Sequence, residues 1–160
     1  MYQEARFHSF KRNMLSGQIS GAIGFFSGLQ YLDLGGNVLV GKIPKSISNV
    51  TGLQVLTLAS NQLIGEIPRE LGLLKGLTWI YLGYNNFSGG IPSEIGELAS
   101  LNHLDLVSNN LTGGNLTSLQ HLYLYFNMLT GPVPQSIFDL KTLVSLDLSD
   151  NFCPVKFQNS

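Results

Sequence analysis

The chain has 160 residues, enough for one domain with a sizeable core, and a formal net charge of −1. Charged residues make up 12% of it, about half the usual ~25%, and no acidic or basic block points to nucleic acid or an anionic membrane surface. The longest apolar stretches, at 22–26 and 38–40, fall far short of the ~18–20 residues a membrane span needs. The first ten residues have no apolar h-region, and Cys153, the sole cysteine, has no partner for an internal disulfide.

Residues 1–12 read as an irregular N-terminal segment. From there asparagine recurs at Asn13, Asn37, Asn61, Asn85, Asn109, Asn127 and Asn151, in steps of 24 residues except for one of 18. Ahead of all but the first, leucine or isoleucine falls in the pattern L-x-x-L-x-L-x-x-N. The rows are Leu29, Leu32, Leu34; Leu53, Leu56, Leu58; Leu77, Ile80, Leu82; Leu101, Leu104, Leu106; Leu119, Leu122, Leu124; and Leu143, Leu146, Leu148. The middle of each row reads as a short strand, with apolar residues pointing one way and the intervening residues the other. One repeat cannot bury its leucines alone, so neighbours must stack at strand spacing, ~4.8 Å. The asparagine ends the strand, and its amide can donate to and accept from turn backbone that would otherwise be buried unpaired. About six repeats therefore span 13–151, one of them shortened at 101–118, and an aberrant tail follows at 152–160.

The second half of the repeat reads Asn37-x-Leu39-x-Gly41-x-Ile43-Pro44, and the same order returns from Asn61 to Pro68, Asn85 to Pro92 and Asn127 to Pro134. Glycine permits φ > 0 or close backbone approach, and proline forbids a continuing ladder bond. A short helical or 3-10 segment on the convex side follows each proline, as at 93–98, which leaves the strand face concave. The shortened repeat lacks its I-P stretch, so the convex side should pinch near 113–118 while strand pairing persists.

These residues resemble the plant-type leucine-rich repeat with its L-x-G-x-I-P signature, above all in the extracellular parts of plant receptor-like kinases and receptor-like proteins. The resemblance implies an α/β solenoid: a right-handed superhelix with a parallel sheet on the concave face and short helical or 3-10 segments on the convex face. It also implies secretion to the outer face of the plasma membrane, N-glycosylation, and recognition of a peptide or partner ectodomain along the inner face. The chain departs from the family in having no signal peptide, no paired-cysteine cap, no transmembrane helix and no kinase motif. It therefore reads as a receptor fragment or the product of a truncated gene.

Outward strand positions form files down the concave face. The first is Tyr31, Val55, Trp79, His103, His121, Ser145, and the second is Asp33, Thr57, Tyr81, Asp105, Tyr123, Asp147. A third, Gly35, Ala59, Gly83, Val107, Tyr125, Ser149, lies beside a fourth, Gly36, Ser60, Tyr84, Ser108, Phe126, Asp150. The leucine core needs none of these side chains. The ligand-binding candidates are Tyr31, Trp79, Tyr81, Tyr84, His103, Asp105, His121, Tyr123, Tyr125 and Phe126, because amphipathic rings beside hydrogen-bonding groups are what an interface hot spot uses. Stabilisation of the sheet by cross-strand aromatic neighbours is the bland alternative. No Arg or Lys stands in these files.

Four N-x-[ST] sequons, at Asn49, Asn86, Asn110 and Asn115, are glycan acceptors on a secreted chain. The run at 36–43 imitates a phosphate-binding loop, but Ile43 stands where Ser or Thr is required, and repeat phase explains each glycine. His103, His121 and Asp105 sketch a metal site only faintly, since such a trio on a flat strand face more often makes polar contacts. No catalytic residues, cofactor or metal are assigned. The partners expected are a peptide or protein ligand, including a co-receptor ectodomain, with no nucleic acid and no direct membrane contact. Beside the receptor reading stand a soluble inhibitor of the polygalacturonase-inhibiting type and a truncated product that binds nothing.

Overall fold

The structure, a computed structural model, describes residues 7–114, 119–130 and 141–153. As far as Gly114, three-residue strands alternate with strands of three to six residues that follow Asn13, Asn37, Asn61, Asn85 and Asn109. The first kind comprises β1 (Phe7–Ser9), β3 (Tyr31–Asp33), β5 (Val55–Thr57), β7 (Trp79–Tyr81), β9 (His103–Asp105), β11 (His121–Tyr123) and β12 (Ser145–Asp147). They pair in parallel, in the order β1-β3-β5-β7-β9-β11-β12. The second kind comprises β2 (Ser16–Gln18), β4 (Val38–Gly41), β6 (Gln62–Glu66), β8 (Asn86–Ile91) and β10 (Asn110–Gly114), and forms a second parallel sheet, β10-β8-β6-β4-β2. The L-x-G segments, read above only as turn punctuation, are this second sheet.

Prolines end the second strands as expected. Pro44, Pro68 and Pro92 sit with φ of −69°, −69° and −59° and open the 3-10 segments Lys45–Asn49 and Arg69–Leu73 and the α-helical turn α1, Ser93–Gly96. Proline's fixed φ suits that corner, and its missing N–H costs nothing there. These segments form the convex layer, which touches solvent on one side and the leucines on the other.

The core is a set of stacked files. Leu32, Leu56, Ile80, Leu104 and Leu122 are register partners on consecutive strands, each at most 2% exposed, and half-buried Leu146 follows. Ile43 and Ile67, just past β4 and β6, Ile91 at the end of β8, and Ile47, Leu71 and Ile95 from the convex layer close the same core. Truncating one such leucine to alanine costs ~2–5 kcal/mol.

Asparagine amides bind the coils to one another. Asn85 Nδ2 donates to the carbonyls of Leu82 (3.1 Å), Gly83 (3.3 Å) and, one coil back, Leu58 (3.0 Å), while its Oδ1 accepts the Leu63 N–H at 3.0 Å. Asn61, Asn109, Asn127 and Asn151 repeat the pattern. Asn37 does too, reaching back to the carbonyl of Phe10 at 2.9 Å and accepting the N–H groups of Asn13 and Leu15.

That last bond corrects one expectation. Within the segment 1–12, read as irregular, Phe7–Ser9 pairs with Tyr31–Asp33 as a further coil, with His8 in the register position of Leu32. Asn13 was already in phase, but its row has no leucine: His8 and Phe10 stand where Leu32 and Leu34 do. The His8 ring stacks on Phe10 at 6.0 Å and meets Phe26 edge-on at 5.8 Å, so aromatic packing replaces aliphatic packing. At the other end the tail departs later than expected: Phe152 bridges Thr130, and Cys153 packs on the core with Sγ 3.7 Å from the Leu129 carbonyl.

At the shortened repeat, first-sheet pairing is unbroken from β9 to β11, while the second sheet shifts register between Leu111 and Gly113. The rest of the expected pinch, at 115–118, lies outside the described residues.

Replacing buried Asn85 with alanine leaves the Leu63 N–H without its acceptor and takes one of two donors from each of the Leu58, Leu82 and Gly83 carbonyls, so Asn85→Ala should lower stability by about 2–4 kcal/mol in urea unfolding. Asn86→Ala, the same change at the exposed neighbouring position, should stay within about 0.5 kcal/mol.

Candidate binding face

The strand register places the first two outward files as read from the sequence. Tyr31, Val55, Trp79, His103, His121 and Ser145 are consecutive partners, and so are Asp33, Thr57, Tyr81, Asp105, Tyr123 and Asp147. Strand alternation turns each of these away from the leucines. Trp79, Tyr84 and Phe126 are exposed, whereas Tyr31, Tyr81, His103, Asp105, His121, Tyr123 and Tyr125 are half-buried.

Neighbouring coils bring the rings of the first file into contact. Trp79 and His103 have centroids 5.0 Å apart, and His103 and His121 stack at 4.1 Å with an interplanar angle of 26°. Tyr81 meets Trp79 edge-on at 6.0 Å, and Tyr123 lies 6.4 Å from His121. The stack shields Nδ1 of both histidines from solvent, and neither has a hydrogen-bond partner. Burial, followed by the proximity of His121, holds the His103 imidazole below its ordinary pKa.

The aspartates of the second file have a role that the sequence reading missed. Asp33, Asp105 and Asp147 each accept, through Oδ1, the backbone N–H two residues on: Gly35 at 2.9 Å, Val107 at 3.0 Å and Ser149 at 3.0 Å. They are Asx turns that steer the chain from strand to asparagine, and the recurring Leu-Asp-Leu triplet was the signal. Asp33, read as an outward residue, is buried beside the Tyr31 hydroxyl, and burial raises the Tyr31 phenol.

Half of the third file is closed as well: Gly35, Gly83 and Val107 are buried, whereas Ala59 and Tyr125 are half-buried and Ser149 is exposed. A Cβ at Gly83 would meet Asp105 Oδ1 at 2.8 Å, so glycine there leaves room for the carboxylate. Desolvation raises the Asp105 carboxyl above its ordinary pKa, partly offset by the Val107 N–H.

In the fourth file Ser60, Tyr84, Ser108, Phe126 and Asp150 all have φ between 52° and 56°. For bulky Tyr84 and Phe126 this left-handed backbone is costly, and it aims both rings outward. Tyr84 reaches across to Tyr125, hydroxyl to hydroxyl at 3.2 Å, and Tyr125 packs edge-on against Phe126 at 5.8 Å. That hydrogen bond is the main reason the Tyr125 phenol is pushed up to about 12.

A leucine-rich repeat family model matches residues 52–111, and a second matches 28–50 and 118–140, together more than half of the chain. The chain belongs to the leucine-rich repeat family. Its repeats are similar to those in the crystal structure of PEPR1–AtPEP1, with a TM-score of 0.84 at 36% identity over 89% of this chain and 21% of that one. The Arabidopsis receptor kinase HAESA, solved with the peptide hormone IDA and the co-receptor SERK1, gives 0.83 at 35% identity over 89% and 25%. The plant peptide hormone receptor RGFR1, solved with RGF2, gives 0.76 at 32% over 93% and 28%. The chain thus spans about a fifth to just over a quarter of those structures. No curated protein sequence matches it.

Elsewhere on this leucine-rich repeat solenoid, Asn49 is exposed at the end of a convex 3-10 segment, and Asn86 and Asn110 are exposed at the starts of β8 and β10. Asn115 lies outside the described residues. An open groove on the flank, lined by Lys42, Glu66, Arg69, Glu70 and Glu94 among others, shares no residue with the ring files. Its cation Lys45 pairs with Glu70 at 2.9 Å, which holds that carboxyl below its ordinary pKa. Among the described residues no group of three His, Cys, Asp or Glu side chains is placed to hold a metal ion, and no helix is long and apolar enough to cross a membrane. Burial raises the Cys153 thiol.

The lowered His103 pKa fixes a pH dependence. The unfolded chain takes up a proton near the ordinary histidine value, about 6.5, before the folded chain does, so stability falls as pH drops through that value. Asp105 acts oppositely, its contribution being lost as pH rises from the ordinary carboxyl value, 3.8, through its raised one. Between pH 7.5 and 5.5 the urea midpoint should fall, and His103→Gln should flatten that fall. A second measurement addresses the tyrosine pair: Tyr84→Phe should bring the Tyr125 phenol back toward ~10, seen as an added phenolate absorbance step between pH 9 and 11.

Proposed function

We propose that this chain is a recognition module that holds an extended peptide, or a segment of a protein such as a co-receptor ectodomain, along the face from β3 to β12. The observation that carries this reading is the continuous run of rings Trp79, His103 and His121, flanked by Tyr81 and Tyr123, on a strand face the core does not use. Rings with two side-chain torsions offer large contact area at small entropic cost, which suits them to anchoring a partner. Five strand steps of ~4.8 Å give that face a length of ~24 Å, matching about seven extended residues.

Likeness to plant receptors solved with peptide hormones supports the same reading. On it, the module belongs to the extracellular part of such a receptor, where it contributes binding and another part of the protein any kinase activity. The exposed sequons Asn49, Asn86 and Asn110 then carry glycans on the convex and flanking sides, leaving the ring face open.

Panning a random heptapeptide library against the folded chain tests the proposal. Selected peptides should bind at least tenfold more weakly to Trp79→Ala. Binders indifferent to Trp79 and displaced instead by substitutions in the flank groove, such as Arg69→Ala, would move the site off the concave face.

A further inference from the structure

The ring face is also an anionic face. From β3 to β12 its outward files carry Asp33, Asp105, Asp147 and Asp150 and no lysine or arginine. Among these, Asp105 has distinctive surroundings. Tyr81 and Tyr123 are its register partners on the two flanking strands, His103 precedes it by two residues on the same strand face, and Trp79 and His121 are the register partners of His103. Five rings thus neighbour one aspartate in the strand register. Its Oδ1 is committed to the Val107 N–H, and among the described residues no cationic side chain pairs with it. The glycine at position 83 leaves the carboxylate room against the sheet, 2.8 Å from where a Cβ would stand.

A carboxylate in that setting is desolvated without a counter-charge, which is consistent with its raised pKa. A cation brought by the partner would restore the missing charge balance. It would also lie against the negative faces of the flanking rings. Guanidinium fits better than ammonium, because it is planar, weakly hydrated, and can stack on an aromatic plane while its edge donates to a carboxylate oxygen.

Resting on the concave-face reading above, we infer that the segment held there presents an arginine to Asp105, its guanidinium seated between Tyr81 and Tyr123 and paired with the carboxylate. The site accordingly selects a basic segment rather than an acidic one. Trp79 and the stacked histidines supply apolar contact next to the ion pair and reduce its exposure to water.

The probe is a pair of degenerate heptapeptide pools, acetylated and amidated at their ends, with either arginine or its neutral isostere citrulline fixed at the central position. The arginine pool should bind the wild-type chain at least tenfold more tightly than the citrulline pool. Asp105→Asn keeps an oxygen to accept the Val107 N–H, so the fold should persist, checked by a thermal midpoint near pH 7 no lower than that of the wild-type chain, while the preference for arginine collapses to within twofold. Asp147→Asn, the same change two strands away, should retain it. Equal binding of both pools to the wild-type chain, with both weakened by Trp79→Ala, would overturn the arginine inference and leave the concave face as the binding site. An arginine preference that survives in Asp105→Asn would place the cation elsewhere and overturn it too. Binding of neither pool would remove both readings together.

Discussion

Everything on the concave face depends on the buried asparagine amide. Each one satisfies backbone in its own coil and in the coil before, so a coil cannot drift relative to its neighbour without leaving polar groups unpaired inside the core. The shortened repeat shows how strong this constraint is. Asn127 reaches the Leu106 carbonyl across 21 residues, where Asn109 reaches Leu82 across 27, yet the bonds measure 2.9 and 3.2 Å. Six residues are gone from the loop, and the ladder is unchanged. The leucine file stays aligned across the deletion, and so do the outward files, which is why His103 and His121 can stack although only 18 residues separate them.

Periodicity made the first sheet and the interior files legible, because leucine and asparagine positions each obey a strict physical demand: burial for one, backbone pairing for the other. The second sheet was not legible for a corresponding reason. Its strands alternate buried Leu39, Leu63, Phe87 and Leu111 with exposed residues of no fixed character, and glycine, which weakens strands, stands in all five of them. Pairing there is imposed by stacking already fixed elsewhere, not by strand preference. The first coil escaped notice because His8 and Phe10 fill positions where leucine marks every later coil.

The candidate site was half legible. File membership followed from alternation alone, and the register confirms it for Trp79, Tyr81, His103, Asp105, His121 and Tyr123. What alternation could not tell is which outward side chains turn back on the backbone. An aspartate two residues ahead of a turn N–H folds onto it, and so Asp33 is buried in a file otherwise facing solvent. Half of the third file is buried too, at Gly35, Gly83 and Val107. Four nominal columns therefore reduce to a floor of two, edged by the outward-aimed rings of Tyr84 and Phe126 in left-handed backbone.

That reduced surface has a definite chemical character. A ring stack offers area without direction, and alone it would hold many apolar segments equally. Direction has to come from a polar group whose partner is specified, and on this face the hydroxyls of Tyr84 and Tyr125 satisfy each other while Asp33 and Asp147 are tied to their own turns. Asp105 is tied by one oxygen as well, but it alone has aromatic register partners on both sides, so a cation that approaches it meets a ring on either flank of the carboxylate. The selectivity of the face thus rests on one turn aspartate, whose structural bond fixes one oxygen and thereby orients the other.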